Sequence, residues 1–193
     1  MILKIVIDFS ILLLILAQER LYQDVLDAVD ENEGSHNIDY NKLQDMWYLE
    51  AFINECLRMY ALTPLERQTT KPYKLSHGNV EFTIPKGMIV TVPVGFMKDE
   101  KYFKNPHQFN PENFSPENKA ERGPYAFSGF GQGPRNCIGM RFAYLNLKIA
   151  MFRMVLDYKI LPCSKTVDKL IPDPKSTNGS PIGGTWIKVE RRK

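Results

Sequence analysis

The chain has 193 residues, 44% hydrophobic and 24% charged, enough apolar content for a sizeable core and too much for a disordered chain. A formal charge of +3, with no basic stripe interleaved with aromatics, argues against a nucleic-acid partner. Its three cysteines, Cys56, Cys137 and Cys163, are odd in number and form no Cys-x-x-Cys pair, which argues against a disulfide scaffold or a zinc site and fits a reducing compartment.

Residues 1–17 are apolar but interrupted by Lys4, Asp8 and Ser10, and the unbroken run 11–17 is well short of the about 20 residues that span a bilayer. Lys4 followed by residues 9–17 has the charged start and apolar core of a signal peptide, whereas direct passage into the amphipathic segment 19–29 favours a buried helix. Residues 9–30 are therefore predicted helical, with Leu21, Val25, Leu26 and Val29 on one face. A polar loop over 30–37 precedes a second helix from Asp39 to about Tyr60, whose apolar stripe is Phe52, Ile53, Cys56, Leu57 and Tyr60. Pro64, Pro72, His77-Gly78 and Asn79 mark 63–79 as irregular. Alternation at Val80, Phe82 and Ile84, a turn at Pro85-Lys86-Gly87 and a β-rich run over 88–94 predict a hairpin over 80–94.

Residues 106–134 are rich in proline and aromatics without a sustained period, a long loop of the kind that is usually functional. A helix is predicted over 140–158, with Phe142, Leu145, Ile149, Phe152 and Leu156 on one face and Pro162 beyond its end. Short strand-like pieces at 159–161 and 186–189 follow, the latter after a Gly183-Gly184 turn. His36, His77 and His107 lack metal-ligand spacing and are read as surface residues. Cys56 and Cys163 are read as packed or surface thiols.

Between the long loop and the helix lies Phe130-Gly131-Gln132-Gly133-Pro134-Arg135-Asn136-Cys137-Ile138-Gly139. A cysteine in a glycine-rich loop directly before a helix suits the presentation of one thiolate to one metal face, since unpaired N–H groups and the helix dipole favour the anion. A buried inert cysteine is the plain alternative. The spacing Phe-x-x-Gly-x-Arg-x-Cys-x-Gly, at Phe130, Gly133, Arg135, Cys137 and Gly139, resembles the haem-ligand loop of cytochrome P450 monooxygenases.

That resemblance implies haem b with the Cys137 thiolate as axial iron ligand, which pushes electron density onto the metal and favours O–O cleavage. Gly133 and Gly139 would let backbone approach the sulfur or the porphyrin, and Phe130 would keep water from the sulfur. Arg135 has the donor fork for a propionate, and Arg67, in Leu65-Glu66-Arg67, is implied to reach a propionate as well. Glu55-x-x-Arg58 would by itself be an ordinary helix-surface pair worth a few tenths of a kcal/mol. The resemblance makes it a buried pair that locks the loop before the cysteine. The family's third partner is the arginine of Pro-Glu-Arg-Phe, and here Pro111-Glu112-Asn113-Phe114 stands in its place. Asn113 keeps hydrogen-bond donors but no charge, leaving Arg58 to neutralise a buried Glu55 alone.

The implied fold is mainly α with small β-sheets, the C-terminal part of the cytochrome P450 fold, with residues 1–193 one partial domain. Residues 9–17 resemble the end of the family's distal helix, whose acid–alcohol pair would fall at or before residue 4, with Asp8 and Ser10 the nearest such groups. Residues 61–65 and 180–183 match substrate-pocket regions. The implied activity is insertion of one atom of O2 into a lipophilic small molecule, with electrons from an NADPH-dependent reductase. Arg135, Arg141 and Lys148 would offer that donor a basic docking surface, or else form a solvated face. The resemblance is to animal microsomal members, on the cytoplasmic face of the endoplasmic reticulum membrane, held by an N-terminal anchor that residues 1–193 do not show. Two other expectations stand beside it: a non-catalytic haem-binding or interaction fragment, and a cysteine-based redox or metal protein without haem.

Overall fold

A computed structural model describes residues 15, 17–29, 38–60, 64–167, 170–171, 173–175 and 180–192. The readings for Lys4, Asp8, Ser10, His36 and residues 61–63 lie outside them. The chain divides into two compact units, residues 1–62 with 97–193, and residues 63–96. In chain order the elements are α1 (residues 17–28), α2 (Tyr40–Asp45), α3 (Trp47–Met59), β1 (Leu65–Gln68), β2 (Tyr73–His77), β3 (Val80–Ile84), β4 (Ile89–Val92), α4 (Pro116–Glu121), α5 (Met140–Asp157), β5 (Tyr158–Leu161) and β6 (Lys188–Arg191). The fold is mainly helical, with three two-stranded antiparallel sheets among the described residues.

In the first unit, α3 is the central helix. The single helix expected from Asp39 to Tyr60 is two helices, because Met46 (φ −68°, ψ 81°) leaves the helical region while its side chain packs into the core. Asp39 caps the first, its Oδ1 accepting from the N–H of Asn41 at 2.8 Å. In α3 burial is not confined to a stripe: it extends over Tyr48, Leu49 and every residue from Ala51 to Arg58. Asn54, Glu55 and Arg58 are therefore inside the protein, where each needs a partner.

On α1, Leu21 and Val25 are fully buried, but Leu26 is 42% exposed and leaves the face expected for it. The buried Gln18 side chain pairs with β5 as a strand would: its Nε2 donates to the Ile160 carbonyl at 2.6 Å and its Oε1 accepts from the Ile160 N–H at 2.8 Å. Gln18→Leu strands both backbone groups and is expected to cost about 2–4 kcal/mol. A urea midpoint unchanged from the parent would contradict this.

The buried side of α5 differs from the expected stripe. Leu147, Lys148, Met151, Phe152 and Val155 are buried, while Phe142 and Ile149 are 71% and 44% exposed. The helix carries apolar residues on two faces, and periodicity alone does not say which one meets α3.

In the second unit the hairpin expected over 80–94 does not form. Val80–Ile84 pairs with Tyr73–His77, in a stretch read as irregular, and Ile89–Val92 pairs with Leu65–Gln68. Gly78 (φ +56°) opens a two-residue turn between His77 and Val80, which suits a hairpin loop. The Pro85–Gly87 turn instead leads β3 into β4, with the Gly87 N–H donating to the Thr69 carbonyl at 2.8 Å.

Candidate functional site

The loop from Phe130 to Gly139 is set by local backbone chemistry. Gly131 (φ +80°) and Gly133 (φ +75°) adopt left-handed conformations that a side chain would strain. A short 3-10 turn over Gly133–Arg135 follows, closed by the Asn136 N–H donating to the Gly133 carbonyl at 3.1 Å. The Cys137 N–H then returns to the Phe130 carbonyl at 2.8 Å, folding the loop back on itself. The Met140 N–H donates to the Cys137 carbonyl at 3.2 Å, and α5 begins there with Gly139 as its N-cap. Cys137 thus sits at the mouth of an 18-residue helix.

Phe130 is buried, its ring centroid 5.0 Å from that of Tyr144, while Cys137 is half-buried against the same core. Gly133, Arg135 and Ile138 are exposed. A Cβ on Gly139 would stand 4.0 Å from the Cys137 sulfur, in ordinary van der Waals contact. Among the described residues no group of three or more His, Cys, Asp or Glu converges as a metal cage. A lone soft donor in a glycine cradle, with an exposed guanidinium two residues away, fits a metal whose remaining ligands come from a prosthetic group.

Behind the loop, Gly129 lies where α3 comes close. A Cβ there would meet Phe127 Cζ at 2.5 Å and Leu57 Cβ at 3.1 Å. Gly129→Ala is expected to cost about 1–3 kcal/mol by overpacking, read as a lower thermal midpoint. An unchanged midpoint would show that the Phe127 ring yields freely.

The stretch read as an irregular loop before the site contains a 3-10 turn, Pro111–Phe114, and the short helix α4, capped by Ser115. It is joined to α3 by a buried polar cluster. Glu55 and Arg58 are both 0% exposed. Arg58 Nε donates to Glu55 Oε2 at 2.7 Å and Nη2 to Oε1 at 2.8 Å. Its other donors reach the carbonyls of Met97 at 3.0 Å, Pro106 at 2.7 Å and Gln108 at 3.3 Å, so all five guanidinium N–H groups are used. Glu55 Oε1 also accepts from the Asn110 N–H at 2.9 Å and from Asn113 Nδ2 at 3.2 Å.

A further cation, Arg122, stands beside this cluster and had no sequence signal beyond a charge in a loop. Its Nη1 donates to the Asn113 carbonyl at 2.5 Å, and its guanidinium carbon lies 4.4 and 4.6 Å from the ring centroids of Phe103 and Phe114. Partial burial lowers its pKa, and the Glu55 charge pulls it back up. Arg58 makes the direct ion pair with Glu55, and Arg122 adds a second guanidinium beside the cluster.

Lys148 does not join Arg135 and Arg141 on a docking face. It is 1% exposed, its Nζ donating to the Gln44 carbonyl at 2.8 Å and pairing with Glu50 at 3.2 Å. Its spacing on α5 places it on the side that packs inward. Tyr144, one turn earlier, donates to Asn54 Oδ1 at 2.5 Å; burial first and the Glu50 charge second push its phenol well above the usual range. Arg141, Lys119 and Glu50 line an open cleft of about 640 Å³ that also touches Phe130, Gln132 and Asn136.

Arg67 lies on β1 in the other unit, exposed, its Nη1 donating to the Glu66 carbonyl at 2.6 Å. His77 and His107 are exposed, Cys56 is buried and Cys163 half-buried.

Residues 7–184 match the sequence profile of the family described as Cytochrome P450, and the chain belongs to that family. It is similar to Probable cytochrome P450 9f2 of Drosophila melanogaster, 37% identical over 91% of this chain and 34% of the relative. Cytochrome P450 6j1 of Blattella germanica is 37% identical over 87% of this chain and 33% of its own length. Cytochrome P450 6a9 of Drosophila melanogaster is 38% identical over 88% and 35%. The chain therefore spans about a third of the length of the curated relatives it matches. Among the described residues, no helix is long and apolar enough to cross a membrane.

Proposed function

We propose that this chain is the haem-binding portion of a monooxygenase that oxidises lipophilic small molecules, with the Cys137 thiolate as axial ligand to haem b. The observation that carries the reading is the presentation of Cys137 by a self-closed glycine loop at the start of α5. Bound there, the haem supplies the activation of O2 from which one oxygen atom enters the substrate.

The chain's own residues hold and shield that group. Phe130 closes the core side of the loop against water, and Gly133 and Gly139 leave room for the ring to approach. Arg135 offers a propionate its exposed guanidinium. Glu55, Arg58 and Asn113 hold the preceding loop to α3. Electrons come from an NADPH-dependent reductase, for which Arg135 and Arg141 are the remaining basic docking residues. The reading includes a microsomal location.

The test is the absorption spectrum of the chain with added haem, reduced under carbon monoxide. A strongly red-shifted Soret band supports thiolate ligation; an unshifted band or none overturns it. If the band forms but reductase and NADPH drive no substrate oxidation, haem binding without catalysis is the function of the chain by itself.

A further inference from the structure

We propose that Arg122 is a positioning residue that supplies, nine residues downstream, the positive charge that Asn113 does not bring to the buried Glu55 cluster. The inference rests on the haem-thiolate reading, because the cluster it completes holds the segment that leads to Cys137.

The geometry is specific. Arg122 donates to the backbone carbonyl of Asn113, the same residue whose side chain donates to Glu55. The connection Glu55–Asn113–Arg122 thus runs through one residue. The guanidinium is held against two rings: Phe103 receives both Arg122, at 4.4 Å, and Arg58, at 5.0 Å, and Phe114 receives Arg122 at 4.6 Å. Two guanidinium groups on one ring repel each other, and the arrangement is favourable only with an anion and aromatic faces in common. Glu55 is that anion, fully buried and bonded to Arg58 and Asn113. Burial costs Arg122 hydration, a cost that a loop arginine with no role avoids by turning into solvent. Arg122 also follows α4 directly, so its hold on Asn113 closes the Pro111–Glu121 stretch on itself.

Charge relocation has a consequence that plain packing lacks: the charge can be moved back. In the full chain, Arg122→Met is expected to lower the thermal midpoint by about 5 °C. It should also reduce the fraction of haem bound with a red-shifted ferrous–CO band. Asn113→Arg in the Arg122→Met background restores both readouts, whereas Asn113→Gln in that background restores neither. Arg122→Lys, which keeps the charge without the planar fork, falls between the parent and Arg122→Met. The proposal is overturned if Arg122→Met matches the parent, if Gln at 113 rescues as well as Arg, or if Lys at 122 is no better than Met. Should the parent bind no haem through its thiolate, the proposed function falls, and the midpoints still decide the role of Arg122.

Discussion

Arg58→Met is expected to lower the unfolding free energy by about 3–5 kcal/mol, the range for breaking a buried ion pair from one side. The guanidinium is 0% exposed and spends its donors on Glu55 and on three backbone carbonyls at Met97, Pro106 and Gln108. Methionine fills much of the volume but leaves a buried carboxylate short of its main counter-charge and three carbonyls without that donor. The double variant Glu55→Met/Arg58→Met separates the two costs. Removing both charges relieves the carboxylate, yet the carbonyls and the Asn110 N–H remain orphaned. The double variant should therefore stay well below the parent in urea unfolding. Full recovery would show that the pair acts by charge alone and does not bind the loop backbone. By contrast, the Lys74–Glu81 pair is just as short, at 2.7 Å, but its side chains are 65% and 59% exposed. Lys74→Ala is expected to change stability by less than about 1 kcal/mol.

Cys137→Ser is expected to abolish the red-shifted ferrous–CO band while moving stability by no more than about 1 kcal/mol. The loop is held by the Cys137 backbone N–H on the Phe130 carbonyl and by positive-φ glycines, none of which needs the sulfur. The side chain is only half-buried, so the loss of packing is small. Serine keeps the size and removes the soft donor that a haem iron with this signature requires. The combination of an intact fold and a lost band distinguishes a ligand from a structural cysteine. A Cys137→Ser variant that keeps the band would remove Cys137 from the site, and one that unfolds would show the thiol to be a packing residue.

What was legible in the amino-acid order is what neighbours in the chain decide. Gly131 and Gly133 announce left-handed backbone, and a cysteine followed by an apolar-periodic run announces a thiol ahead of a helix. Gly183 and Gly184 announce the turn before the last strand. Those signals were enough for the cysteine loop and for α5, while the mainly helical class came from the family resemblance.

The misreadings share a cause, which is competition between partners far apart. Val80–Ile84 had two possible partners, and a two-residue turn at Gly78 favoured the one upstream. Helix α5 had two apolar faces, and α3 selected the one that also buries Lys148. Local order was sufficient to say where a thiol-bearing loop could form and which residue types surround it. Which charges are buried together was settled by long-range packing. Glu55 and Arg58 lie three residues apart, but the carbonyls that complete Arg58 and the guanidinium of Arg122 come from distant stretches. Burial strengthens such contacts by excluding water, and no local pattern records which distant atoms will share a dry space.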